Sequence, residues 1–254
     1  MRFIPKLRQE NINVIFSAQK KLHNLIQFSG IDLNPLNKDE ANKISEGKWI
    51  PLLSLLKYFK VNTKKPISDG PYLKINNQHF IKWKTIFSKE KKPVIGLNWQ
   101  GNPLAEVSLL KGRSIHLEMF SKIIDNNKSI KLVSLQKGFG SEQLDKCTFL
   151  EKFVNFQDEV SRIWDFQETT AIIKNCDLVI TTDTLVAHLA GALWKETWLL
   201  LKYVPDWRWG LDGEKTFWYP SLRLFRQNEK KSWKEVIETL SLDLNKKFCK
   251  NLEY

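Results

Sequence analysis

The chain has 254 residues, of which 42% are hydrophobic, and its 10 tryptophans and 15 phenylalanines exclude a globally disordered protein. Its length allows one large domain or two small ones. The formal net charge of +12 would suit a nucleic acid or a phosphate-bearing ligand, but the lysines are spread along the whole chain, so a solvated lysine-rich surface is the first interpretation.

The cysteines and the N-terminal region indicate in which compartment the protein functions. Cys147, Cys176 and Cys249 form no CxxC pair, and their odd number argues against a disulfide framework. The charges near the N-terminus do not fit a signal peptide, and no run of ~18 apolar residues predicts a membrane span. These features predict a cytoplasmic protein in which Cys176 is a small buried apolar residue.

The first 60 residues alternate helical and extended patterns, but they begin with a helix. The predicted elements are a helix over 1–9, a short strand over 12–16, a helix over 18–28 that ends before Gly30, and an edge strand over 31–36. The apolar stretch 52–59 fits either a helix or a strand. Because an α/β domain normally begins with a strand and its loop, this order predicts a Rossmann-like domain that lacks both.

Residues 61–92 are polar and lysine-rich, with one predicted helix over 78–87, and we interpret them as a connection between domains. From residue 93 strands and helices alternate, which predicts a parallel sheet. The predicted strands are 94–99, 131–136, 178–181, 198–201 and 222–225, with a weaker one at 153–156. The predicted helices are 117–124, 166–175, 186–193 and 233–242. Asp165 and Glu168 form the pattern of a capping box at the start of the helix over 166–175.

Three of these strands end in polar or glycine-rich loops, at residues 98–103, 136–140 and 182–184. Since the carboxyl ends of parallel strands meet at one edge of a sheet, beside helix N-termini that favour anions, we expect the loops to form one ligand site. Arg113 and Lys137 supply cations for a diphosphate. A single GxG sequence is more often a tight turn than a phosphate cradle, so the prediction depends on the three loops together.

The other polar and aromatic candidates in this half each have a structural alternative. Asp183 can be a plain helix N-cap, and His188 can be a partly buried residue of a helix. The aromatic residues after 202 either line a sugar or base pocket or close the domain core, and the core is the favoured interpretation. They are Trp207, Trp209, Trp218 and Tyr219.

An ordered set of motifs spans the second half of the chain. They are GLNWQGNP (96–103), GRSI (112–115), VSLQKG (133–138), DLVITTDTLVAHLAGAL (177–193), DWRW (206–209), WYPS (218–221) and LRLFRQ (222–227). In this order they resemble the glycosyltransferase-like domain at the end of many bacterial tetratricopeptide-repeat proteins, which is itself similar to the heptosyltransferases. The resemblance is dense over 93–242 and looser through RFIPKL (2–7) and IPLLSL (50–55).

The resemblance implies a GT-B architecture, in which two Rossmann-like α/β domains face each other across a cleft. The incomplete N-terminal domain and linker would be residues 1–90, and the C-terminal domain, residues 91–254, would hold a nucleotide-sugar donor. No metal or other cofactor is implied, because the donor is a substrate. The implied donor-binding residues are Asp183, Thr184 and His188 in the diphosphate and sugar motif, Arg113 near the phosphates, Gln136 and Lys137 in the preceding loop, and Asn98.

The chain also departs from the family pattern. Leu185 stands where the family has serine, His116 where it has proline, and Trp194 and Glu196 where it has glycine and proline. In the family the N-terminal domain begins with a strand and a Gly-Asp loop, whose aspartate is taken as the catalytic base of the heptosyltransferases. That segment would precede the first residue here, so the chain is interpreted as N-terminally truncated and its catalytic residue is unknown.

The sequence therefore predicts a glycosyltransferase-like protein that transfers a sugar from a nucleotide diphosphate to an unknown acceptor, whether glycan, lipid or protein. The alternative is a non-catalytic or decayed module that binds a nucleotide or a partner chain supplying the missing N-terminal segment. A nucleic-acid binder is the third alternative, and strongly salt-dependent affinity for DNA or RNA would indicate it. We expect no nucleic-acid partner.

Overall fold

The computed structural model describes residues 1–62, 64, 66, 70–107, 110–229 and 232–248. Within these residues the strands form one sheet in which every neighbouring pair is parallel, with the order β2-β1-β3-β4-β5. The α/β class with a parallel sheet is thereby confirmed. The strands are β1 Val94–Asn98, β2 Lys131–Ser134, β3 Leu178–Thr182, β4 Thr197–Leu201 and β5 Leu222–Arg226.

The helices follow the predicted periodicity in most places. They are α1 Phe3–Gln9, α2 His23–Phe28, α3 Lys38–Ala41, α4 Leu55–Tyr58, α5 Asn77–Phe87, α6 Ser121–Asn126, α7 Gln157–Ser161, α8 Phe166–Asn175, α9 Leu185–Ala192 and α10 Lys234–Phe248. Short 3₁₀ turns precede α2, α4 and α6. No helix within the described ranges is long and apolar enough to cross a membrane.

The sheet is covered on both faces, and successive residues of each strand enter different cores. In β3, Val179 belongs to one cluster of buried residues, whereas Leu178 and Ile180 belong to the other. The first cluster contains the apolar residues of α8 and α9, and the second those of α6 and α10. This is why the strands read as continuous apolar runs rather than as alternating ones.

The two strands predicted at 12–16 and 31–36 are wrong. The structure has only one isolated parallel bridge there, between Ser17 and Leu36. The strand predicted at 153–156 is likewise reduced to a single bridge, from Leu132 to Phe153. These short segments are extended, but each lacks the second row of hydrogen bonds that a strand needs.

The described part of residues 1–90, which we call the N-terminal segment, packs against the side of the sheet that α8 and α9 cover. Phe3 and Leu25 belong to the same buried cluster as Leu199 of β4. The backbone N–H of Tyr72 donates to the carbonyl of Ala192 at 3.1 Å. The division into two Rossmann-like domains near residue 90 stays a prediction, and the described part of residues 1–90 contains no sheet of its own.

Helix α8 uses its predicted capping box in only one direction. The carboxylate of Asp165 accepts from the backbone N–H of Glu168 at 3.0 Å, as an N-cap should. The carboxylate of Glu168 does not accept the reciprocal hydrogen bond from the backbone N–H of Asp165. It accepts from the indole N–H of Trp83 at 3.0 Å and forms an ion pair with Lys82 at 2.5 Å, which ties α5 to α8.

Helix α9 ends in a Schellman motif that has tryptophan at the position where glycine is usual. The N–H of Trp194 donates to the carbonyl of Gly191 at 3.1 Å, and that of Lys195 to Ala190 at 2.9 Å. The motif requires a left-handed residue, and Trp194 has φ 53°. A side chain in this conformation costs about 1–2 kcal/mol relative to glycine.

Candidate functional site

A cleft of about 640 Å³ lies at the carboxyl ends of β1, β2 and β3. In the strand order β2-β1-β3-β4-β5 the connection reverses direction between β1 and β3, and ligands of open α/β sheets bind at such a switch point. We call it the switch-point cleft. All seven residues that the sequence predicted as donor-binding line it, namely Asn98, Arg113, Gln136, Lys137, Asp183, Thr184 and His188.

Asn98, the last residue of β1, holds the ends of β1 and β3 together. Its side-chain oxygen accepts from the hydroxyl of Thr184 at 2.7 Å and from that of Thr181 at 3.2 Å. Its amide N–H donates to the side-chain oxygen of Gln136 at 2.8 Å. Because Asn98 is only 4% exposed and bonded on both sides, it positions the floor of the cleft.

Gln136 clamps the loops that follow β1 and β2. Its side-chain oxygen accepts from the backbone N–H groups of Trp99 and Gln100, at 3.2 and 3.0 Å. Its amide nitrogen donates to the carbonyls of Gln100 and Phe139, at 2.9 and 2.7 Å. Both amide donors and the oxygen are thus engaged within the protein, so Gln136 shapes the cleft rather than offering it a free donor.

Arg113 crosses the mouth of the cleft towards β3. Its guanidinium donates to the backbone carbonyl of Asp183 at 3.0 Å and pairs with the carboxylate of Glu106 at 3.3 Å. It lies directly on Gly101, where a Cβ atom would come within 2.5 Å of a guanidinium nitrogen. A side chain at position 101 would therefore displace the guanidinium from its place above the loop after β1.

The N-terminus of α9 opens into the cleft without a side-chain cap. Thr184 is the N-cap residue, yet its hydroxyl donates to Asn98 and accepts no hydrogen bond from the helix. The sequence offered Asp183 as the N-cap of this helix, but the structure places Thr184 there and shows no side-chain cap within the described residues. Uncapped N–H groups and the helix dipole make this end a favourable place for an anion.

His188 lies one turn into α9, with its ring stacked on Trp209 at 5.5 Å. One ring nitrogen, Nδ1, is 3.1 Å from the hydroxyl of Tyr219. Burial, together with the nearby positive charge of Arg208, lowers the pKa of His188 to about 4, so the imidazole is neutral at pH 7.

Two further ionisable groups of the cleft have shifted pKa values. Burial raises the pKa of Asp183, and the carboxylate of Asp206 reinforces this shift while Arg113 opposes it. Burial lowers the pKa of Lys137 to about 8, and its ammonium donates to the carbonyl of Val160. Within the described ranges no three His, Cys, Asp or Glu side chains are grouped as a metal site requires.

No protein-family model and no curated protein matches the chain. Among solved structures, it is similar to the ADP-heptose LPS heptosyltransferase II of E. coli (15% identity over 69% of this chain and 54% of that one, TM-score 0.46). It is also similar to a family 9 glycosyl transferase from Veillonella parvula (13% identity over 70% of this chain and 45% of that one, TM-score 0.43). A third similar structure is the wall teichoic acid polymerase TagF (14% identity over 69% of this chain and 42% of that one, TM-score 0.40).

These structural neighbours are glycosyltransferases, and the chain spans about half of their length or less.

The structure adds cleft residues that the sequence did not single out. Asp206 and Arg208, which pair with each other at 2.6 Å, come from the loop after β4, and Trp164 and Phe139 form an exposed aromatic rim. Lys21 reaches the cleft from the N-terminal segment. The DWRW motif pointed to the first pair, whereas nothing in the local sequence around Lys21 indicated its position.

The aromatic residues after β4 divide between the two interpretations that the sequence left open. Trp209 and Tyr219 are 3% and 7% exposed and pack around His188, so they close the core. Trp207 is exposed and stacks against the guanidinium of Arg208. The core interpretation is therefore confirmed for Trp209 and Tyr219.

Proposed function

We propose that this protein is a glycosyltransferase of the GT-B type that binds a nucleoside-diphosphate sugar in the switch-point cleft and transfers the sugar to a glycan, lipid or protein acceptor. The observation that carries the proposal is the uncapped N-terminus of α9, which opens into a cleft beside the guanidinium of Arg113. The ordered motifs that resemble the heptosyltransferase-related domain agree with it.

The charges of the cleft fit a diphosphate. Its lining contains four cationic side chains, Lys21, Arg113, Lys137 and Arg208, and two carboxylates, Asp183 and Asp206. Asp206 is paired with Arg208, Glu106 beside the cleft is paired with Arg113, and burial raises the pKa of Asp183, so the four cationic groups are only partly compensated. A diphosphate group carries the charge that this arrangement favours.

The size and walls of the cleft fit the remaining parts of a nucleotide sugar. A volume of about 640 Å³ lies within the range of ligand sites, about 300–1,000 Å³. The exposed rings of Trp164 and Phe139 at the rim offer flat apolar surfaces to a base or a sugar.

The same groups would act in the transfer step. When the bond between the sugar and the diphosphate breaks, negative charge develops on the leaving group. Fixed N–H dipoles of α9 and the guanidinium of Arg113, which Glu106 and the Asp183 carbonyl hold in place, would stabilise that charge without reorganisation.

The test is a thermal-shift screen of the purified chain against ADP, UDP, GDP, CDP and dTDP, with Arg113→Ala beside the wild type. A nucleotide present at about 100 times its dissociation constant adds roughly 2.7 kcal/mol of stability, or a few degrees. We expect one nucleotide to raise the melting temperature of the wild type, and Arg113→Ala to lose most of that rise.

The matched control is Arg162→Ala, which removes an exposed arginine outside the cleft and should keep the full shift. If no nucleotide raises the melting temperature, or if both arginine variants respond like the wild type, the assignment of a donor site to this cleft is wrong.

A further inference from the structure

A second cleft, of about 680 Å³, lies at the opposite edge of the sheet, beside the amino ends of β4 and β5. We call it the amino-edge cleft. One wall carries Trp194 and Trp198, and charged residues of β5, α10 and the neighbouring loops surround it. Since β4 has five residues, roughly 13 Å separates this edge from the switch-point cleft.

Trp194 is the unusual residue of this cleft. It occupies the left-handed position of the α9 Schellman motif, where glycine would be free of strain, and the indole stays 42% exposed. No ring contact or hydrogen bond of its side chain is found within the described ranges. The indole is thus partly covered but held by no ring contact or hydrogen bond, and residues with a strained backbone cluster at ligand sites.

Trp198 does not offer a second free ring. It is only 5% exposed, and its ring faces the guanidinium of Arg223 at 5.8 Å and the ring of Phe225 at 5.1 Å. Trp194 is thus the ring of this cleft that a ligand can cover.

The charged residues of the cleft neutralise one another. Arg223 pairs with Glu214 at 2.9 Å and with Asp243 at 2.7 Å, and Lys247 pairs with Glu196 at 2.9 Å. The lining carries four cationic groups and three carboxylates, so its net charge is close to zero. It presents hydrogen-bond donors and acceptors side by side.

We propose that the amino-edge cleft binds a neutral saccharide, with the apolar face of one sugar ring on Trp194. A sugar has flat C–H faces that suit an indole ring, and its hydroxyls both donate and accept hydrogen bonds. The carboxylates of Glu214 and Asp243 would accept from such hydroxyls, and Lys246, which lies 3.4 Å from Asp243, would donate to them. This site is independent of the switch-point cleft and does not rest on the proposed function.

The test is a glycan array that carries neutral and charged oligosaccharides, probed with the full chain as wild type, Trp194→Gly and Trp194→Tyr. We expect the wild type to bind neutral oligosaccharides, Trp194→Gly to bind them at least tenfold more weakly, and Trp194→Tyr to retain most of the affinity. Titration calorimetry with the neutral oligosaccharide that gives the strongest array signal measures the fold-change.

Two controls separate this site from a general aromatic effect and from the other cleft. Trp49→Ala removes a tryptophan that is 85% exposed and lines neither cleft, and it should bind like the wild type. Arg113→Ala should also bind like the wild type. Loss of saccharide binding in Arg113→Ala would place the sugar in the switch-point cleft and overturn the proposal.

Thermal unfolding distinguishes a ligand role from a structural one. Because φ 53° suits glycine, Trp194→Gly should unfold at the same temperature as the wild type or at a higher one. A lower unfolding temperature would show that Trp194 serves the fold. That result would overturn the proposal. Equal saccharide binding by the wild type and Trp194→Gly, or binding of no neutral oligosaccharide at all, would overturn it as well.

Discussion

His188 shows at the scale of one residue how burial decides charge. Its imidazole is packed between Trp209 and Tyr219, and burial, aided by Arg208, lowers its pKa from 6.5 to about 4. Between these two values the unfolded chain binds a proton that the folded chain does not. The folded state therefore loses stability as the pH falls from 6.5 towards 4.

We expect this residue to contribute a loss of up to about 3 kcal/mol in the free energy of unfolding across that pH window. Denaturant titrations of the wild type and of His188→Gln at pH 6.5 and pH 4.5 measure it. The variant should be less stable at pH 6.5 but lose less on acidification. Equal losses in the two proteins would contradict a buried neutral imidazole.

Gly191, in the interior of α9, is a case in which packing between elements outweighs local preference. Alanine is favoured over glycine in a helix by about 1 kcal/mol, but a Cβ at this position would come within 2.4 Å of the Tyr219 ring. Tyr219 is 7% exposed and lies against His188, so it cannot move away freely. We expect Gly191→Ala to destabilise the protein by about 1–3 kcal/mol.

A double-mutant cycle separates the two effects on α9. In a Tyr219→Ala background the clash is absent, so Gly191→Ala should become neutral or stabilising, as helix propensity predicts. Chemical denaturation of the four proteins gives the coupling free energy. A destabilisation of the same size in both backgrounds would show that the tyrosine is not the cause.

A partly buried carboxylate joins helices α5 and α8. Glu168, 13% exposed in its side chain, accepts from Trp83 and pairs with Lys82. We expect Glu168→Gln to cost about 1–3 kcal/mol, because hydrogen bonds to a charged acceptor at a partly buried site are the stronger ones. Denaturant unfolding measures this cost.

Glu238→Gln is the matched control for this pair. Glu238 lies 4.0 Å from Lys122, and both side chains are about half exposed, so its loss should change stability by less than about 1 kcal/mol. If the two glutamine variants are equally stable, Glu168 does not tie α5 to α8.

At the scale of the whole molecule, the parallel sheet separates two clefts. The switch-point cleft is lined by the loops after β1, β2 and β3. The amino-edge cleft is lined by residues before and at the start of β4 and β5 and by the end of α10. The N-terminal segment shares the core of the α8 and α9 layer and brings Lys21 to the first cleft. A nucleotide and a saccharide bound in the two clefts would therefore not compete.

The sequence by itself determined the five strands, the helices that alternate with them, and seven of the residues that line the switch-point cleft. Continuous apolar runs such as residues 178–182 are typical of strands buried on both faces. Once strands are parallel, their carboxyl ends must share an edge, which is why Asn98, Gln136 and Thr184 could be predicted to meet.

Only the tertiary structure decided how these side chains are used. Whether Gln136 faces a ligand or clamps two loops depends chiefly on the backbone carbonyl of Gln100, which is distant in sequence and follows another strand. The extended segments near residues 17 and 36 could not be distinguished from strands locally, because a strand exists only through its hydrogen-bonded partner. The strain at Trp194 follows from the end of α9 and is likewise visible only once the helix is folded.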